Sequence, residues 1–176
     1  MFRMSSARTI DLTGEVVADA RALRDAFGCF TTGVTIVTAL DGETPVGFTA
    51  NSFASVSLDP PLALISVGRE ASCLPALEAS GAFVVNVLHV DQQALAAQFA
   101  RRGCDRFEGV TPETWHTGAP VLPGCMANFE CRTDQIIDAG DHRIIIGRIL
   151  KVHHDAGHEP LVYLRGGYRK VHTDPV

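Results

Sequence analysis

The chain lacks most of the marks of the common binding and catalytic classes. No C-x-x-C occurs among its five cysteines, Cys29, Cys73, Cys104, Cys125 and Cys131. The odd number and the missing motif argue against a disulfide framework and fit a reduced, cytoplasmic compartment. The thiols read as buried or idle groups, with a catalytic cysteine as the lesser alternative. No stretch reaches the roughly 18 apolar residues that cross a bilayer. The opening "MFRMSSARTIDLTGEV" has no continuous apolar segment of the secretory kind. Neither a membrane partner nor secretion is expected. Cations are scarce: 15 Lys and Arg stand against 20 Asp and Glu, for a net charge of -5. A nucleic-acid face needs clustered Lys and Arg. The close basic pairs, Arg101-Arg102 and Arg169-Lys170, are short enough to be ordinary surface. There is no G-x-G-x-x-G after a strand, no Walker A loop and no G-x-S-x-G elbow. Internal repeats and low-complexity segments are also missing.

What is present is a globular composition. The 176 residues are 46% hydrophobic and 20% charged, enough for one domain with a real core. Residues 1–15 lack periodicity and read as a mobile tail, so the domain is expected over residues 16–176. "ADARALRDAFGCF" spaces Leu23, Phe27 and Phe30 as an amphipathic helix does. "GVTIVTAL" and "VGFTANSF" are β-rich and flank the turn "DGETP", which predicts a hairpin. "PLALISVG" is apolar almost throughout and is expected to be buried on both faces. "SCLPALEAS" predicts a short helix with Ser72 as its cap and Pro75 in its first turn. "AFVVNVL" is a further strand, and "VDQQALAAQFARR" a helix with Leu95 and Phe99 four apart. Residues 107–124 hold several Pro and Gly and read as a long ordered loop of the kind that often carries function. "MANFECRTDQIID", "RIIIGRILKVHH" and "PLVYLRGGYRKV" supply the remaining strands. The expectation is a mainly β (α+β) fold: a closed or partly closed antiparallel barrel with flanking helices.

Three clusters invite a chemical reading. In "GFTANSFASVSLDPPLALISV", the small polar residues Thr49, Asn51, Ser52, Ser55 and Ser57 sit beside an apolar strand. With Ala50 they would let a flat heteroaromatic ring approach the backbone and find hydrogen bonds. A strand end with turn residues is the plainer alternative. Arg69 and Ser72 precede a helix start, where a phosphate finds a positive charge and free N–H groups. The alternative is an N-cap beside a surface Arg. The run "HHDAGH" gathers His153, His154 and His158. It reads as a turn of solvated imidazoles rather than a metal site, because no firm ligand spacing with a carboxylate is present.

Taken in order, "FTTGVTIVTA", "GFTANSFASVSLDPPLALISV", "SGAFVVNVL", "GDHRIIIGRI" and "PLVYLRGGYRKV" resemble the short-chain flavin reductases. The resemblance runs from about Ala20 to His172. These are NAD(P)H:flavin oxidoreductases that supply reduced flavin to two-component monooxygenases. The resemblance implies a Greek-key split β-barrel of the FMN-binding type, a homodimer, FMN or FAD as flavin, and NADH or NADPH as hydride donor. It implies flavin contacts at Thr32, Gly33 and Val34 of "TTGV" and at Thr49, Ala50, Asn51 and Ser52, with Ser55 and Ser57 as less certain members. It makes Arg69 and Ser72 phosphate candidates. Phe107 would line the pocket, Phe99 being better suited to the core. Tyr168 and Arg169 of "GGYR" would lie near it, and His142 of "GDH" would face the nicotinamide. On the residues alone, a His at this loop–strand junction is most often a polar cap. Two other functions stay open: a flavin- or haem-binding split-barrel protein without turnover, and a flavoenzyme reducing a cobalamin, a metal chelate or a quinone.

Overall fold

The computed structural model describes residues 19–171 together with Thr9, Leu12 and Thr13. The rest of the expected tail, residues 16–18 and residues 172–176 lie outside the described residues. Helix α1 (Ala20–Phe27) starts on Asp19, whose carboxylate accepts from Ala22 N at 2.8 Å, the capping bond that helix starts favour. Strands β1 (Thr32–Gly33), β2 (Thr35–Asp41), β3 (Thr44–Ala50), β4 (Ala54–Leu58) and β5 (Pro61–Gly68) follow. Helix α2 (Leu74–Ser80), β6 (Ala82–Val87) and helix α3 (Gln93–Ala100) come next. The chain then forms the short strands β7 (Glu113–Thr114) and β8 (Pro120–Val121), the long pair β9 (Ala127–Ala139) and β10 (His142–His154), and β11 (Val162–Leu164) and β12 (Gly167–Arg169).

Seven strands make one antiparallel sheet in the order β3-β2-β6-β9-β10-β5-β4. Strands β3 and β4 are consecutive in the chain yet stand at opposite edges of that sheet. From Ala50 to Ala54 the chain can span at most about 15 Å. The two edges must therefore meet, and the sheet rolls into a barrel. The meeting line between β3 and β4 carries no ladder, so the barrel is split there. Ser52 fastens this seam: its hydroxyl donates to Ser66 O at 2.8 Å and accepts from Ser66 N at 3.1 Å, on β5.

Alternation along the strands sorts the side chains. Val37, Ile65, Val67, Phe83, Val85, Cys131 and Ile145 fill the barrel, and α2 adds Cys73, Leu74 and Leu77. Gly147 on β10 makes room for this packing. A Cβ there would lie 2.6 Å from Phe83 Cζ and 2.8 Å from Cys131 Cβ. The opposite phase packs outward, with Val34, Ile36 and Leu88 against Ala96 and Phe99 of α3. The sheet β1-β11-β12 joins this layer through Tyr163 and Tyr168.

The expected loop 107–124 is ordered and contains the β7–β8 ladder. Buried polar side chains pin it to the outside of the barrel. Thr38 Oγ1 donates to Pro120 O. Asn86 Oδ1 accepts from Leu122 N at 2.9 Å and from Asn128 Nδ2 at 2.8 Å. Glu130 Oε1 accepts from Thr117 N at 2.6 Å. Each bond satisfies a group that burial would otherwise penalise.

Three expectations are corrected. Strand β5 is not buried on both faces: Ala63, Ile65 and Val67 are buried, but Leu62, Leu64 and Ser66 are only half-buried, because no helix among the described residues packs on its outer face. In α1, Ala22 is buried, while Phe27 is 68% exposed and Phe30, beyond the helix, 78%. The stripe is real in spacing but finds no cover among the described residues. Ser72 is not the cap of α2; Cys73 is, without a side-chain bond. Among the described residues, no helix is long and apolar enough to cross a membrane.

Candidate active site

Beside the seam lies a cleft of about 620 Å³, within the roughly 300–1,000 Å³ usual for small-molecule sites. Strand β3 supplies one side through Gly47, Phe48 and Thr49. Residues 70–73 form a second side, and the segment 102–107 after α3 a third. Phe99 is fully buried behind this surface, and Phe107 meets it edge-on with centroids 5.0 Å apart. Gly47 permits the arrangement, since a Cβ there would stand 2.9 Å from the Phe99 ring.

The small polar residues divide by role. Thr49 Oγ1 donates to Ala96 O at 2.6 Å, tying β3 to α3. Only its lone pairs remain for another donor. Thr35 Oγ1 donates to Ala50 O at 2.9 Å. The hydroxyl of Ser52 bonds to Ser66 of β5 in both directions, a structural role that the sequence reading does not foresee. The main chain of residues 51–53 lies outside both ladders, and no hydrogen bond is made by its N–H groups among the described residues. The free donors here are backbone groups, and Asn51 is exposed among them.

Of the expected residues, Thr49, Ser72 and Phe107 line the cleft. Ala50, Asn51 and Ser52 continue from its β3 side. Ser55 and Ser57 do not join them; they sit on β4, paired with Ala63 and Leu62. Thr32 and Gly33 pair with Tyr163 and Val162, and buried Val34 donates its N–H to Leu161 O. Tyr168 packs against Tyr163 at 5.7 Å, in the same apolar cluster as Phe107. Burial pushes the Tyr168 phenol up. The Thr32 hydroxyl is buried, on the strand position opposite Tyr163, without a partner among the described residues. Arg169 is exposed and folds onto Tyr168 O at 2.8 Å.

Arg69 and His142 stand at the barrel tip, outside the cleft. Arg69 donates to Gly140 O at 2.9 Å and pairs with Asp138 at 2.6 Å. It borders a separate hollow of about 290 Å³ that shares Ser72 with the cleft. His142 opens β10 opposite Gly68 and binds Asp141 through Nδ1 at 2.7 Å. That hydrogen bond, aided by the imidazole's charge, holds the Asp141 carboxyl below its ordinary value. His158 stacks on His89 at 4.5 Å, and the described residues hold no metal-binding cluster.

The sequence reading misses Arg106, Cys73 and Cys104, all on the cleft surface. Arg106 adjoins Phe107, the one signal that pointed there. Burial raises the Cys73 thiol, with a backbone bond and Arg106 acting in the opposite sense. Burial also raises Cys125 to about 11 and Cys131 to about 12, which leaves both as inert core thiols.

Backbone donors at a seam, an aromatic pair and a cationic rim fit a flat heteroaromatic ring that carries a phosphate, the chemistry of a flavin. A family model described as "Flavin reductase like domain" matches residues 27–172. The chain belongs to that family. The flavin reductase expected from the sequence, an oxidoreductase of mainly β split-barrel fold, is thereby borne out. The FMN reductase (NADH) SmoA of Agrobacterium fabrum is 47% identical over 150 residues, 85% of this chain and 85% of that one. The reductase subunit HsaB of a flavin-dependent monooxygenase from Rhodococcus jostii is 38% identical over 164 residues, 92% of this chain and 84% of the relative. Among solved structures, the NADH:FAD oxidoreductase of Streptomyces globisporus, in complex with NAD and FAD fragments, superposes with a TM-score of 0.87. It is 37% identical and covered in full, against 97% of this chain.

Proposed function

We propose that this flavin reductase takes hydride from NADH or NADPH, reduces FMN or FAD in the cleft beside the seam, and releases the reduced flavin to a separate monooxygenase. The observation that carries the reading is the unpaired backbone of residues 51–53 leading out of the cleft beside Thr49 and Phe107. When bound, a flavin supplies the two-electron chemistry, and the protein supplies binding and orientation. Thr49 and Ala50 fix the ring edge through the bonds that tie β3 to α3 and β2. The N–H groups of Asn51 and Ser52 offer donors to ring carbonyls, favouring the charge of the reduced ring. Val34 and Tyr168 share an apolar cluster with Phe107 and back the pocket there, while Thr32, Gly33 and Arg169 stay candidates beside them. His142, held by Asp141, acts as a positioning residue on the nicotinamide side. Arg69 and Ser72 stay candidates for the phosphate end.

The working unit in this reading is a cytoplasmic homodimer of one split-barrel domain, residues 16–176. Phe27, Phe30 and Leu58, the last 95% exposed, give it an apolar surface to cover. The test is oxidation of NADH and of NADPH by purified protein with excess FMN, FAD or riboflavin. Sustained turnover that follows flavin concentration supports the reading. Flavin binding without turnover would make it a carrier. Turnover only after adding a non-flavin acceptor, without air, would make it a reductase of that acceptor.

A further inference from the structure

We infer that Arg106 holds a phosphate group of a bound nucleotide in the cleft. The inference rests on the flavin-reductase reading of that cleft. Arg106 follows α3 on a loop that turns it back over β3. Its Nη1 donates to Gly47 O at 2.7 Å and its Nε to Arg101 O at 2.9 Å. Both partners are neutral carbonyls. Among the described residues, the arginine ion pairs are made by Arg69 and Arg143. Asp105, next in sequence, turns its carboxylate to Phe107 N at 2.9 Å instead. Arg106 is thus half-buried on the cleft surface and makes no ion pair among the described residues, although Glu70 and Asp105 line the same cleft; its Nη2 makes no hydrogen bond among those residues.

A partly desolvated cation without an anion is unfavourable until one arrives. The carbonyls fix the plane of the guanidinium in advance, which suits it to a bidentate grip on phosphate. Cys73 lines another side of the same cleft; burial raises its thiol, and the Arg106 charge acts in the opposite sense. Arg69 differs on each count: it is paired with Asp138 and borders the neighbouring hollow. The phosphate could belong to the flavin or to the nicotinamide dinucleotide, and the two are separable.

The experiment compares the full chain with Arg106→Met and Arg106→Lys. Flavin fluorescence gives Kd for FMN and for riboflavin, which lacks the phosphate. NADH dependence is measured with saturating riboflavin as acceptor. If the phosphate is the flavin's, Arg106→Met weakens FMN at least tenfold and riboflavin less than twofold, with Arg106→Lys between. If it is the dinucleotide's, both flavins bind as before and KM for NADH rises at least tenfold. Equal weakening of FMN and riboflavin, or no change anywhere, overturns the inference while leaving the cleft as a flavin site. Failure of the parent protein to bind either flavin overturns the reading beneath it. Should Arg106→Met not fold, Arg106→Lys and added pyrophosphate decide. Pyrophosphate must weaken FMN or NADH binding in the parent protein, spare riboflavin, and lose that effect in the Lys variant; any other pattern overturns the inference.

Discussion

Ser52 and His142 show how one short side chain is judged by what it touches. The Ser52 hydroxyl makes two bonds to β5 across the seam. Its loss removes partners from two half-buried backbone groups, at about 1–3 kcal/mol. Ser52→Ala is therefore expected to lower the free energy of unfolding by that amount, read by urea denaturation of the apoprotein. Unchanged stability would mean the bonds hold nothing. His142 is tied to Asp141 and lies outside the cleft. In the proposed positioning role, His142→Ala should raise KM for the nicotinamide or slow flavin reduction by about tenfold to a hundredfold. Kd for FMN should stay within twofold. Anaerobic stopped-flow at parental rate and NADH dependence would reduce His142 to a strand cap.

Among the elements, β10 carries the sharpest packing constraint. The Cβ of an alanine at position 147 would meet Phe83 and Cys131 inside the barrel at distances no side chain adopts. Gly147→Ala is expected to cost about 1–3 kcal/mol, as overpacked cores do. A thermal melt equal to the parent would show that the Phe83 ring can retreat. The strands are legible in the sequence because β-branched and aromatic residues gather between turn residues, and the "DGETP" hairpin because its turn residues act locally. What escaped depends on closure through space. Nothing in "ANSF" shows that Ser52 turns to a strand fourteen residues on, since its direction follows from the meeting of the sheet edges. Arg106 escaped for the same reason, its partner Gly47 lying 59 positions away. The α1 stripe misled because spacing shows an apolar face and not what covers it.

At the scale of the whole molecule, a single barrel leaves much apolar surface in water. Phe27, Phe30, Val56 and Leu58 are exposed, with Ile136, Ile137 and Val152 on β9 and β10. The proposed dimer would cover such surface, closed two-fold pairing being the commonest arrangement. Light scattering is expected to give about twice the chain mass of 18.9 kDa. A monomer that retains full turnover would remove the dimer from the proposal. The split itself has a consequence in time. Amides in the β2-β6-β9 ladders are expected to open only with the barrel, whereas those of residues 51–53 make no hydrogen bond among the described residues. Deuterium should enter residues 51–53 of the free protein at nearly the rate of an unstructured chain. Added FMN should slow exchange there far more than in the barrel wall, so the unpaired turn would report when the molecule is loaded.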